Sequence, residues 1–258
     1  MRILVCVKQV PDMGSTFRID EHGKGFDETR TVFRMNSYDD YAVEESVQIK
    51  ERFLDVHVTA LTVGPKRAEA VVRRALEFGA DHGVHVLTDR GQGMDALETS
   101  SRIAAFAKDP SFELLLFGVM SEDEQFSQTG PMVAALLDLP YATTVVSEMI
   151  SEDRRNVTVA RELEGGRRQV LEMPLPAVLT VQSGINRPRY PSLSNKLRAR
   201  KQKLQVIDGT RLSPVVRCQE LIRVSLPPPS ETGTFLEGTL EEKAEALVQI
   251  IHEKTDVL

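Results

Sequence analysis

Four short runs of apolar and branched residues, each followed by a helix-like pattern, constrain this chain more than any other feature. Residues 3–7 (ILVCV), 56–63 (VHVTALTV), 84–87 and 114–117 read as strands covered on both faces, because a strand with one wet face would alternate apolar with polar residues. Behind them the spacing predicts helices over 39–52, 67–78, 94–108 and after Gln128. Ala42, Val43, Val47 and Ile49 line one side of the first helix, with Asn36 or Ser37 as its N-cap. Gly64-Pro65 marks a strand-to-helix turn, and Gly79 ends the second helix. Strand and helix in strict alternation predict an open, mostly parallel, doubly wound α/β sheet with helices on both faces.

Beyond Pro140 the pattern shortens. Residues 144–149, 156–162, 168–172 and 177–181 alternate like antiparallel additions to the sheet, with the turn signal Glu164-Gly165-Gly166-Arg167 between two of them. Pro227-Pro228-Pro229 reads as a stiff linker, and residues 240–252 as an amphipathic helix needing a surface to pack on, either its own sheet or a partner subunit. The expected division is an α/β domain over 1–224 and a C-terminal arm over 225–258 that packs on one or the other.

Composition removes several classes of function. Two cysteines, Cys6 and Cys218, far apart in sequence, argue for neither a disulfide framework nor a cysteine metal site, and suit a reducing compartment. No apolar run reaches membrane-spanning length, and no leader pattern precedes the first strand, so the expectation is a soluble, unprocessed, cytoplasmic chain without membrane insertion. The net charge is −6, yet residues 183–203 hold seven basic residues and no acidic one, leaving −13 on the remainder. With no tryptophan and only Tyr190 in that stripe, a nucleic-acid stacking platform is not expected.

Chemistry concentrates in GVMSEDEQFSQTGPM, residues 118–132, which follows a strand and opens a helix. Free amides at a helix N-terminus attract phosphate, and Ser127, Gln128, Thr129 and Gly130 stand where that helix begins; the plainer alternative makes Ser127 or Thr129 a simple N-cap. No GxGxxG or GxxxxGK[ST] supports a dehydrogenase or P-loop enzyme. Glu122, Asp123 and Glu124 read as solvated acids with no lysine or histidine nearby in sequence, and the five histidines lack metal-ligand spacing. The chain therefore has a nucleotide-like loop without an evident catalytic group. In the basic stripe, Pro188 and Pro191 oppose regular structure and leave Tyr190 and Leu193 on an exposed loop, an apolar anchor inside a cationic rim.

At these segments the sequence resembles the beta subunit of electron transfer flavoproteins, within the wider adenine nucleotide alpha hydrolase-like family. The run VARELEGGRRQVLEMPLPAVLT, residues 159–180, carries that family's signature in Arg161, Glu164, Gly165, Gly166, Gln169, Pro176 and Thr180. VCVKQVPD, MNSYDDYAVEES, TVGP, ALEFGAD and SQTG agree in order, so the likeness covers about residues 1–207. The resemblance implies an electron carrier rather than an enzyme with its own substrate. It would be a heterodimer with an alpha subunit that holds most of one FAD, accepting electrons from an acyl-CoA or related dehydrogenase and passing them to a quinone oxidoreductase or other acceptor. An AMP of structural role would lie among Cys6, Asn36, Ser37, Tyr38, Asp39, Val63, Gly118, Asp123, Ser127, Gln128, Thr129 and Gly130. Met13 and Tyr38 would approach the partner-held FAD, and Glu162 would pair with an arginine of the mobile flavin domain. Leu193 would anchor the dehydrogenase, with Tyr190, Pro191, Asn195, Arg198 and Lys201 around it. Bifurcating relatives place a second FAD where others hold AMP and oxidise NADH; Thr129 resembles the AMP type. An adenine-nucleotide-binding signalling protein of the same fold is the remaining alternative.

Overall fold

The computed structural model describes residues 1–89, 94–108, 112–212, 218–228, 233 and 235–254. The chain divides into two compact units, residues 1–224 and 225–258.

The larger unit is organised around nine strands. These are β1 (Arg2–Cys6), β4 (His57–Gly64), β5 (His82–Leu87), β6 (Leu114–Gly118), β7 (Tyr141–Ile150), β8 (Asn156–Glu162), β9 (Arg168–Pro174), β10 (Ala177–Val181) and β11 (Gln205–Asp208). Between β1 and β4 a separate antiparallel pair forms from β2 (Gln9–Pro11) and β3 (Phe33–Met35). The helices are α1 (Ser37–Arg52), α2 (Glu69–Phe78), α3 (Ala96–Ala107), α4 (Thr129–Leu137) and α5 (Leu193–Lys201). The strand order is β11-β5-β4-β1-β6-β10-β7-β8-β9. All neighbours from β11 to β7 run parallel, and β7-β8-β9 continue as an antiparallel meander.

Alternate residues of β1 explain why its sequence is apolar throughout. Ile3, Val5 and Val7 enter a core shared with α1 and α2, while Leu4 and Cys6 enter a second core with α3 and α4. The four apolar residues expected on α1 are all buried. The open, mostly parallel sheet with helices on both faces is thus the architecture found.

One detail of the sequence reading is corrected. Ala177–Val181 is not an antiparallel addition; it is β10, a parallel strand between β6 and β7 with five buried residues. Its continuous apolar run (AVLTV) has the signature of a doubly covered strand, and the neighbouring meander obscured it. The sequence reading also passed over the pair β2-β3 and the edge strand β11, each only three or four residues long.

From β1 the chain winds outward through α1, β4, α2 and β5, then returns by α3 to β6 on the other side of β1. The direction of winding therefore reverses between β1 and β6, and ligands of open α/β sheets bind outside the strand ends at such a reversal.

The smaller unit contains α6 (Leu240–Lys254). Thr239 and Glu242 cap it reciprocally: the Thr239 N–H donates to Glu242 Oε2 at 2.7 Å and the Glu242 N–H to Thr239 Oγ1 at 3.3 Å. Leu240, Leu247 and Val248 are exposed on it. Pro227 and Pro228 precede it in irregular chain, while Pro229 lies outside the described residues. Among the described residues, no helix is long and apolar enough to cross a membrane.

Candidate functional site

A cleft of about 810 Å³ opens at the carboxyl ends of β1, β4 and β6. It is bordered by Cys6, Val7 and Lys8 from the first strand, Val63 and Gly64 from the second, and Gly118 and Val119 from the third. The first turns of α1, α3 and α4 close it. This volume falls in the range of small-molecule and cofactor sites.

Asp39 fastens the two strands that flank the reversal. Its Oδ2 accepts the Lys8 N–H at 2.7 Å, and its Oδ1 accepts the Gly118 N–H at 3.2 Å and Asn36 Nδ2 at 3.0 Å. Burial pushes the Asp39 carboxyl up to about 7, against the pull of these three donors. Asn36 occupies the N-cap position of α1 without bonding the helix amides. Its side chain spans to Met120 O at 2.9 Å and receives the Glu122 N–H at 3.0 Å, tying the loop after β6 to α1. Burial, with Asp39 nearby, raises the Cys6 thiol well above its ordinary range, so it remains a neutral, unreactive wall residue.

At the start of α4 the N-cap position belongs to Gln128, whose side chain makes no capping bond; neither Ser127 nor Thr129 acts as the cap. Ser127 instead has φ +55°, and Gln125 has φ +58°. Two non-glycine residues in left-handed backbone mark a loop held in a costly conformation, as at ligand sites. The helix amides therefore face the cleft without a side-chain acceptor, and Gln128 Oε1 is buried without a hydrogen-bond partner.

The acids before this helix are not simply solvated. Lys8 Nζ lies 2.8 Å from Asp123 Oδ1 and 2.8 Å from Glu124 Oε2, and Arg34 Nη2 lies 2.9 Å from Glu122 Oε2. Partial burial works against the Lys8 charge, but Glu124 and Asp123 outweigh it and its pKa is raised. Both cations come from more than eighty residues away in sequence, which is why a local reading found no partner. With the cations of this rim engaged by carboxylates, an anion at α4 would be bound by backbone amides.

The cleft thus gathers Cys6, Asn36, Asp39, Val63, Gly118, Asp123, Ser127, Gln128, Thr129 and Gly130. Ser37 and Tyr38 stand behind it: Ser37 Oγ bonds Arg34 and Glu122, and Tyr38 Cβ packs against Gly118. Met13 is about half exposed and does not border the cleft. Glu162 ends β8 on the surface, 4.0 Å from Arg168. Sequence reasoning missed the opposite wall. There Arg67 lies 3.9 Å over the Phe33 ring, bonds Glu28 through two nitrogens and reaches Gln9 Oε1 at 2.7 Å. Asp95 was also missed; as N-cap of α3 it accepts the Glu98 N–H at 2.6 Å, and through Oδ2 those of Cys218 and Gln219. The signal for the aromatic wall was the spacing of Phe17, Phe26 and Phe33, legible only once β2 and β3 are known to pair. Among the described residues no cluster could hold a metal ion, and the buried His85 bonds Gly64 O at 3.0 Å.

The basic stripe is partly helical. The irregular loop ends at Ser192, whose hydroxyl caps α5, and Leu193 is the first helical residue rather than part of the loop. Tyr190 is 97% and Leu193 74% exposed. Pro191 and Asn195 are half-buried and Lys201 is exposed, whereas Arg198 donates to Leu76 O and Ala80 O.

Beneath this stripe α1 buries two carboxyls together. Glu45 and Glu148 share one cation, with Arg52 Nη2 against Glu148 and 3.8 Å from Glu45 Oε1, and burial first, then Glu148, push Glu45 up to about 8. A raised folded-state pKa stabilises the fold fully below the ordinary carboxylate range, about pH 4.3, and that contribution fades as pH rises through about 8. The thermal midpoint of the parent should fall, relative to that of Glu45→Gln, which keeps an amide hydrogen bond without titrating, across about pH 5 to pH 8. Parallel pH profiles for the two proteins would refute the raised pKa of Glu45.

The fold and cleft define a doubly wound α/β protein with an anion-ready helix terminus at its topological reversal. Residues 24–212 match the family model described as "Electron transfer flavoprotein domain". The chain is 35% identical over 260 residues to the electron transfer flavoprotein subunit beta of Methylophilus methylotrophus, covering 98% of both chains. It is 33% identical over 242 residues to the Mus musculus and Homo sapiens beta subunits, covering 93% of this chain and 94% of each relative. The chain belongs to the electron transfer flavoprotein beta-subunit family, and so to the flavoprotein subunits of electron transport.

Proposed function

We propose that this chain, paired with an alpha subunit, carries electrons from a dehydrogenase of the acyl-CoA class to a quinone oxidoreductase or other acceptor, and holds one AMP in the β1/β6 cleft. The single observation that carries the nucleotide is the buried, unpartnered amide oxygen of Gln128 beside the uncapped N-terminus of α4. A ribose hydroxyl could satisfy that oxygen, or the amide could turn and donate to a phosphate, while the α4 amides supply the remaining donors. Cys6, Val63 and Asn36 would then border the base.

The FAD would be held mostly by the alpha subunit and would supply the redox chemistry. This chain's residues would exclude water and orient the flavin domain, with Met13, Tyr38 and Glu162 facing it and α6 packing on the partner. One observation favours a second reading: Phe26, Phe33, Leu221 and Val224 give the same cleft an apolar wall that would accept another ring system, as a second FAD requires. Co-expression with an alpha subunit, denaturation and chromatography of released nucleotides decide between them. One FAD and one AMP per heterodimer is expected; two FAD and no AMP would replace this reading with NADH-driven bifurcation.

Leu193, exposed and flanked by Tyr190 and cations, would insert into an apolar pocket of the dehydrogenase. Leu193→Ala should raise KM for the dehydrogenase about tenfold, the loss of a modest hot spot, with released FAD and AMP unchanged. An unaltered KM would remove Leu193 from the docking site.

A further inference from the structure

Arg189 lies one residue before Tyr190 and turns inward to α1. Its Nε reaches Glu44 Oε2 at 2.9 Å and Oε1 at 3.2 Å, and its Nη2 reaches Glu44 Oε1 at 3.0 Å. Its other edge grips Glu51, with Nη1 at 2.6 Å from Oε1 and Nη2 at 2.9 Å from Oε2. The Arg189 backbone N–H also donates to Glu44 Oε2 at 3.2 Å. One guanidinium thus meets two carboxylates about two turns apart on one face of α1, the planar two-edged geometry that arginine has and lysine lacks. Three residues earlier, Asn186 Nδ2 donates to Glu45 Oε2 at 2.7 Å and Tyr41 O at 3.0 Å on the same helix.

The far end of the segment is fastened to α2. Arg198 Nη2 donates to Leu76 O and Ala80 O, where that helix ends, and Arg73 Nη1 returns to Ala199 O at 3.2 Å and Gln202 O at 3.3 Å. Ala199 is buried there. Between these two attachments Tyr190 and Leu193 are exposed to solvent. An exposed anchor on a short loop would lose conformational freedom on binding, and that cost is smaller if the loop is already held in its bound orientation.

We infer that Glu44 and Glu51 are positioning residues for partner recognition, which through Arg189 hold the loop before α5 in the orientation that presents Leu193 to the dehydrogenase. The inference rests on the docking role proposed above for Leu193. Glu44 is 2% exposed, and burial works against its ionisation, yet Arg189 and Gln48 hold its carboxyl below the usual range. The pair is therefore an inner fastening, distinct from the cations that remain on the rim.

The test uses the holo heterodimer with the double variant Glu44→Gln/Glu51→Gln, which leaves Arg189 half-buried but strands no buried carboxylate. Hydrogen exchange over residues 186–193 should accelerate about tenfold, and KM for the dehydrogenase should rise about tenfold, with kcat and released nucleotides unchanged. Arg189→Lys, which can meet one carboxylate but not two, should fall between parent and double variant on both readouts. Glu51→Gln alone, at a half-exposed carboxylate, supplies a milder variant should the double one fold poorly, with smaller changes in the same direction. Unchanged exchange, or faster exchange with unchanged KM while Leu193→Ala still raises KM, overturns the positioning role alone. If Leu193→Ala leaves KM unchanged, the docking assignment itself falls and takes this inference with it.

Discussion

Asp39→Ala is expected to lower the unfolding free energy by about 3–5 kcal/mol, because one buried carboxylate satisfies three buried or part-buried donors from three segments. The Lys8 N–H follows β1, the Gly118 N–H ends β6, and Asn36 Nδ2 belongs to the turn before α1. Alanine offers none of them an acceptor, and each stranded donor costs about 1–3 kcal/mol, less where a water can enter from the cleft. Against a typical domain stability of about 5–15 kcal/mol, the loss is a large fraction. On the function proposed above, the nucleotide released per heterodimer should fall too, since the strand ends Asp39 ties together wall the cleft. Asp39→Asn is the informative comparison. Its oxygen can still accept from Gly118 and Asn36, but its amide nitrogen then faces the Lys8 N–H, donor against donor, so about half the penalty remains. Urea unfolding at constant slope measures both variants. An alanine variant within about 1 kcal/mol of the parent would show that the three donors find other partners.

The residues whose environment repeats along the chain were legible from sequence. β1, β4, β5 and β6 announce themselves because burial on both faces demands apolar side chains at every position, and α1 announces itself by its spaced Ala42, Val43, Val47 and Ile49. β10 has the same continuous signature but was read as antiparallel, since no helix-like segment precedes it; the chain reaches it through the β8-β9 meander instead. Register across a sheet is a long-range property that such a local pattern does not encode.

The cleft shows the same division. Ser127, Gln128, Thr129 and Gly130 could be placed at a helix terminus because strand, loop and helix are contiguous there. The partners of Glu122, Asp123 and Glu124 could not, because Lys8 and Arg34 arrive only when β1 and β3 are folded against the loop after β6. Arg189 was legible as part of a charged stripe, but its direction was not: an inward and an outward arginine have the same sequence signature until the acids of α1 are located.

Gly118→Ala should be at least as damaging as the loss of Asp39, and for a geometric reason. A Cβ at this position would lie 2.3 Å from Asp39 Oδ1, 2.7 Å from Tyr38 Cβ and 2.9 Å from the Tyr38 carbonyl carbon. The third contact is backbone in the first turn of α1, so no rotamer change relieves it; the helix start or the end of β6 must move. Overpacking of a rigid site costs about 1–3 kcal/mol and more where backbone is displaced, and the same movement breaks the Gly118 to Asp39 bond. We expect a loss of about 4 kcal/mol and less than one released nucleotide per heterodimer. Gly165→Ala separates this cause from the general effect of replacing a glycine. Gly165 has φ +72° and nothing within 4 Å of the added methyl, so alanine there pays only the left-handed backbone penalty, about 1 kcal/mol, far from the cleft residues in sequence. Equal losses for the two substitutions, or full nucleotide occupancy in Gly118→Ala, would mean that the approach of α1 to β6 is loose enough to admit a methyl group, and that the cleft does not depend on their contact.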